Sequence, residues 1–223
     1  MCSVYGISTQ YQKLKDLGIS VAYSDGEINA RFTPYSKVPV VVSTAQGLKL
    51  TPMNYSLVPA WSKEPKAKFA THNARIETIT EKPAWREPFA NKHCLIPMTY
   101  FCESAYQGPH AGHIISFSRE SGASSETSPL MFAAGLFDVW INPETKEPLY
   151  SCAIITTEPS QFILENGHDR TPIFLNFEDA KIWLNLINKP EKEMVTFLLS
   201  KNVYPDLHVT RDRPLKQGWE KRI

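Results

Sequence analysis

The residue with the most distinctive potential chemistry is Cys2, directly after Met1. A Cys side chain is small enough for methionine aminopeptidase to remove the Met before it. The result is a chain end with a thiol and a free α-amine on adjacent carbons. In unperturbed peptides the amine titrates near ~8 and the thiol near ~8.5, so modest tuning activates either. A 1,2-aminothiol meets an aldehyde as no internal Cys can: the amine forms an imine and the thiol closes a five-membered thiazolidine. The dipeptide alone does not separate this from a Cys that merely follows the initiator.

Three further stretches carry more polar chemistry than packing needs: Thr71 to Thr78 (THNARIET), Ile96-Pro97 with Phe101-Cys102-Glu103, and His168 to Pro172 (HDRTP). Each has a bland reading. Asn73, Arg75 and Glu77 fit a solvated turn with a local ion pair. Glu103 could point outward as strand residues alternate. A lone His168 is commonly just a satisfied polar residue.

The elements that must position these groups are short. At 223 residues, 42% hydrophobic and 21% charged, the chain can bury a sizeable core. A net charge of +1 leaves any nucleic-acid surface to local patches. No apolar run approaches a ~20-residue membrane span, and no signal peptide is expected. The four cysteines follow neither zinc nor C-x-x-C spacing, so free thiols, no metal, no cofactor and a cytoplasmic location are expected. Strands are expected at 3–7, 37–44, 48–58, 93–97, 100–106, 112–117, 130–140, 149–156 and 207–210, with an interruption near Pro52. Helices are expected from Ser8 to Leu17 and at 83–91, 160–165, 176–186 and 191–199. Residues 25–34 read as a turn and 118–129 as a polar surface insertion. Residues 59–92 form a long, charged segment with Trp61 and Trp85, of the kind that is usually functional. Many short strands without βαβ alternation indicate one domain over 1–223 of the α+β class, with a mainly antiparallel, barrel-like core and peripheral helices.

In chain order the motifs resemble the SRAP (SOS-response-associated peptidase) family, which shields abasic sites in single-stranded DNA by covalent capture. The resemblance rests on Met1-Cys2, the N-A-R-x-E-T stretch at Asn73–Thr78, and the I-P…F-x-E stretch at Ile96, Pro97, Phe101 and Glu103. It continues with A-G-L at Ala134–Leu136, I-I-T-T at Ile154–Thr157 and H-D-R-x-P at His168–Pro172. Leu57 to Trp61 fits the family's W-G-L-x-P-x-W, with Tyr55-Ser56 in place of Trp-Gly. Ser3 and Val4 replace the Gly-Arg of the usual M-C-G-R start, whose arginine helps hold the nucleic-acid backbone.

The resemblance implies a mechanism. The Cys2 amine attacks the ring-opened aldehyde and its thiolate closes the ring. His168 moves a proton, Glu103 acts as general acid/base or orients the amine, and Asn73 holds Cys2 or the sugar. Arg75 is the first candidate for a phosphate contact, ahead of Lys68, Arg86 and Arg170. Trp61, Trp85 and Phe101 are candidates for stacking on bases. The implied partner is single-stranded DNA bearing abasic sites, bound by a monomer in the cytoplasm or nucleoid, with β-elimination (lyase activity) as a side reaction. Rival readings are an N-terminal-nucleophile amidohydrolase, a Cys2–His168–Asn73 peptidase, and a noncatalytic single-strand-binding protein.

Overall fold

The computed structural model describes residues 4–7, 11–21, 30–67, 69–119 and 129–222. Cys2, Ser3, the Ser8 helix cap, Lys68 and most of the expected 118–129 insertion lie outside the described residues. The strands are β1 (Val4–Ile7), β2 (Ser20–Val21), β3 (Ala30–Phe32), β4 (Lys37–Thr44), β5 (Gly47–Tyr55), β6 (Asn73–Arg75), β7 (His93–Met98), β8 (Tyr100–Ala105), β9 (His113–Ser118), β10 (Met131–Ile141), β11 (Pro148–Thr157), β12 (Thr171–Pro172), β13 (Phe174–Leu175) and β14 (His208–Pro214). The helices are α1 (Tyr11–Asp16), α2 (Pro83–Asn91), α3 (Gln161–Glu165), α4 (Phe177–Asn185) and α5 (Glu191–Lys201).

The longest strands close on themselves. β11, β10, β7, β4 and β5 are neighbours in that order. β5 then pairs in parallel with β11, Ser151 opposite Asn54 and Cys152 opposite Tyr55, which completes a barrel. Val38 and Val40 to Val42 of β4, Leu95 of β7 and Ile154 of β11 supply the β-branched and aliphatic side chains buried in it. Gly135, the glycine of the A-G-L motif, is required by close approach: a Cβ there would lie 2.9 Å from the Ala153 carbonyl, the Cys94 sulfur and the Ile96 side chain. The expected interruption at Pro52 does not occur. Pro52 faces Pro39 across the β4–β5 ladder, so the two residues without an N–H meet where none is donated.

A second antiparallel sheet has the order β14-β9-β8-β1-β3. Between β7 of the barrel and β8 of the second sheet stands the single residue Thr99, whose backbone N–H donates to the Gly6 carbonyl at 2.9 Å. β3 lies inside the expected 25–34 turn, because Ala30–Phe32 finds a ladder partner in β1. The last strand is longer than 207–210, because β14 follows β9 to Pro214. The resulting α+β architecture, with a barrel of mostly antiparallel strands and few helices, is the class expected from the sequence.

Candidate functional site

Glu103 sits on β8 and does not point outward. Strand alternation puts it on the same face as Phe101, which stacks on Phe117 (centroids 5.1 Å apart) and meets Phe174 of β13 at 5.6 Å. That face is turned toward the barrel, and Glu103 is 2% exposed. Its partner arrives from the turn after α3. Gly167 adopts φ +90, and a Cβ there would collide with the Gln107 carbonyl, so only glycine fits. The next residue, His168, is then pinned by its N–H to the Ile163 carbonyl at 3.2 Å. Its Nε2 lies 3.1 Å from a Glu103 carboxylate oxygen.

The backbone fixes where one hydrogen of the ring sits. Nδ1 of His168 lies 3.2 Å from the Ser104 carbonyl oxygen, which can only accept, so Nδ1 carries a hydrogen. In the neutral ring Nε2 is then a lone pair aimed at Glu103, and the contact needs a proton on the carboxyl. Burial drives both groups that way: it pushes Glu103 up to about 7 and His168 down to about 4. Burial thus leaves a neutral imidazole beside a carboxyl that titrates near neutrality, and in its protonated form that carboxyl donates to Nε2. It can deliver a proton and take one back.

The residues around the pair divide sharply. Asn73 is buried on β6, opposite Ile154 of β11. Arg170 is also buried. It forks onto Glu77 with two bonds of 2.9 Å and donates to the Thr156 carbonyl at 2.9 Å. This corrects two expectations: Glu77 pairs with Arg170 and not with a neighbour in its own turn, and Arg170 is occupied inside the protein and unavailable to a phosphate. Phe101 and Trp85 also belong to the core, at 0% and 7% exposed, and offer no free ring face for stacking. Lys68 is outside the described residues.

Arg75, Arg86 and Trp61 are exposed. Trp61 and Arg75 line a cleft of about 510 Å³ that reaches Asn73 and the edge of Trp85. Phe69 lines the same cleft and a neighbouring one of about 540 Å³, which extends to Tyr35, Lys66 and His72. Trp61, Phe69 and Tyr35 are 59%, 53% and 54% exposed, which is unusual for large aromatics in a protein with this much core. Tyr35 has φ +73, an uncommon conformation for a bulky residue, and the Lys66 ammonium lies 4.5 Å from its ring centre. Phe69 and Tyr35 were not singled out from the sequence; the positive φ and the exposure that mark them exist only in three dimensions. The three cysteines in the described residues, Cys94, Cys102 and Cys152, are free and buried. Burial raises their thiol pKa values, that of Cys102 to about 11, which removes them as nucleophiles.

Cys2 is connected to this arrangement by covalent reach. β1 is antiparallel to β8 with Val4 opposite Cys102, so Val4 is beside the residue preceding Glu103. Two peptide units limit Cys2 to within about 7 Å of Val4, measured between Cα atoms.

The sequence pattern of the family described as SOS response associated peptidase (SRAP) matches residues 1–211. The chain belongs to the SRAP family. Among its relatives, the abasic site processing protein YoqW of Bacillus subtilis is 31% identical over 188 residues, covering 83% of this chain and 80% of that protein. The abasic site processing protein HMCES of Xenopus tropicalis is 29% identical over 189 residues, covering 74% of this chain and 56% of that longer protein. A solved structure from Bordetella bronchiseptica shares the fold, with TM-score 0.75 at 22% identity over 95% of this chain and all of that one. One from Bacteroides thetaiotaomicron gives 0.73, also at 22%, over 95% of this chain and 92% of that one. Within the SRAP pattern, the N-A-R-x-E-T and H-D-R-x-P stretches meet through the Glu77–Arg170 fork, and both are tied to β11 at Thr156.

Proposed function

We propose that this chain processes abasic sites in single-stranded DNA by covalent capture of the ring-opened aldehyde at Cys2. The observation that carries the reading is the buried Glu103–His168 pair, with Glu103 on β8 beside β1, in a family whose relatives are named for abasic-site processing. The Cys2 amine adds to C1′ and gives a carbinolamine. The Glu103 carboxylic acid protonates the departing hydroxyl, which leaves as water, and regains the proton shed by nitrogen. The thiol then adds across the C=N bond, sulfur to carbon and hydrogen to nitrogen. The net change is a thiazolidine and one water. Asn73, at the inner end of the 510 Å³ cleft, holds the sugar. Arg75 and Arg86 face the phosphates, and Trp61, Phe69 and Tyr35 stack on bases. If the thiol step is missed, the imine labilises the C2′ proton and β-elimination follows, which gives lyase activity. The protein acts as a monomer and one domain, in the cytoplasm or on the nucleoid. Among the described residues, no helix is long and apolar enough to cross a membrane. A Cys–His–Asn peptidase would need His168 Nε2 directed at a thiol; its 3.1 Å contact with Glu103 favours the capture chemistry.

The test replaces the thiol and keeps the amine. Wild-type protein is expected to give a heat-stable adduct with abasic single-stranded DNA without reductant. Cys2→Ser should give one only when borohydride reduces the imine. Absence of any wild-type adduct, with or without borohydride, would refute capture.

A further inference from the structure

A further cleft, of about 480 Å³, lies on the face of β8 opposite to Glu103. It is lined by Ser104, Tyr106, Ile114, Arg213, Lys216 and Trp219, and the last three come from the C-terminal segment. That segment lies beyond the part of the chain that matches the family, which ends at residue 211. Its sequence is basic, with Arg213, Lys216, Lys221 and Arg222 against Asp212 and Glu220.

The segment is fastened in place. The Leu215 N–H donates to the Gly112 carbonyl at 2.7 Å. The Trp219 ring lies so close to Gly112 that a Cβ there would be 3.0 Å from it. A bulge in β14 sets the charges. Arg211 is opposite Ile115 and Arg213 opposite Ile114, which leaves Asp212 as the extra residue. Asp212 bonds Arg31 of β3, at the other edge of the same sheet, and its charge is thereby neutralised. Arg213 takes the position across from Ile114, in a row with Ser104. Among the described residues, neither Arg213 nor Lys216 has a carboxylate partner, and both are exposed. The cleft thus presents two uncompensated cations, the half-buried Trp219 and the phenol-bearing Tyr106.

We infer that this cleft binds the sugar–phosphate backbone of the DNA strand flanking the captured lesion. Two observations place it on that path. Ser104 lines the cleft, and its carbonyl accepts the hydrogen bond from His168, so the cleft is one backbone away from the reacting pair. Val4, two residues along the chain from Cys2, shares this face, in the neighbouring row with Cys102 and Ser116. Phosphate contacts of this kind act without regard to sequence and weaken with salt. The inference rests on the abasic-DNA reading for its ligand, but the two can fail separately.

The experiment compares wild type with the double variant Arg213→Gln/Lys216→Gln. It measures affinity for a labelled 20-nucleotide single strand with one abasic site across a salt series, and scores adduct formation in parallel. Lys146→Gln, an exposed lysine in the β10–β11 turn, is the control for net charge. Melting temperature checks that each variant is folded. The double variant is expected to bind about tenfold more weakly at 0.1 M salt. Its log–log salt slope should be shallower by about 1.4, or ~0.7 for each lost contact, with Lys146→Gln unchanged. An unaltered slope in the double variant, or an equal loss in Lys146→Gln, overturns the inference even if wild type forms the adduct. A slope change confined to the double variant, with no wild-type adduct, leaves the cleft standing and removes the capture reading.

Discussion

Glu103 and His168 exchange the usual charge states of their residue types, and this has a consequence for stability. In the unfolded chain the carboxyl titrates near ~4.3 and the imidazole near ~6.5. In the fold, burial moves them to about 7 and about 4. The contribution of Glu103, whose pKa is raised, is complete below ~4.3 and is lost as pH rises through about 7. The contribution of His168, whose pKa is lowered, is complete above ~6.5 and is lost as pH falls through about 4. Between these limits both states hold one proton, unfolded on His and folded on Glu, so the two dependences cancel. Glu103→Gln removes one side of the balance. Its unfolding free energy should rise with pH between about 4 and 6.5, relative to wild type, by up to ~1.4 kcal/mol per unit for one proton. Urea denaturation across that range measures it, and parallel profiles for variant and wild type would refute the shared proton.

At the scale of elements, two segments distant in sequence are held together by one ionic fork. Arg170 is 9% exposed in its side chain and Glu77 42%, so the pair is only half shielded. Arg170→Ala removes the fork and the bond to the Thr156 carbonyl. It should cost about 2–4 kcal/mol, somewhat under the loss for a fully buried pair. Denaturation reads that loss. If Arg170 were instead a phosphate contact, stability would hold and the salt slope of DNA binding would fall. This fork also shows what the sequence could and could not reveal. Both charged residues stood within motifs, but their mutual pairing depends on β6 and the turn before β12 both meeting the end of β11, which no local pattern encodes. The strands β4, β7, β8, β10 and β11 were legible because their apolar residues alternate or run continuously between turn residues. β3 was not, because its residues make a strand only when β1 is beside it. Ser56 is a related case. It has φ +129, a conformation suited to glycine, where the family pattern has Gly. The sequence showed the replacement but not the strain.

Across the whole molecule, the exposed aromatics fall on one side of Asn73 and the C-terminal cations on the far face of β8. Cys2, Asn73, Glu103 and His168 were candidates in the sequence through their order along the chain and not one by one, and the contact between Glu103 and His168 exists only in the fold. The grip on a ligand was less so. Trp85 and Phe101 have the right chemistry but went to the core, while Phe69 and Tyr35 are exposed. Trp61→Ala and Phe69→Ala should each weaken single-strand binding by about 1–3 kcal/mol, the usual worth of a base–aromatic stack, with little change in melting temperature. Trp85→Ala should lower the melting temperature first. Fluorescence anisotropy beside thermal melts distinguishes the two classes.

The most direct measurement of the central claim is the intact mass of the protein after incubation with single-stranded DNA carrying one abasic site. Covalent capture predicts a species equal to the chain without Met1, plus the oligonucleotide, less one water, and its absence for Cys2→Ala without reductant. Unmodified protein alone, or an equal and equally stable adduct on Cys2→Ala, would contradict it.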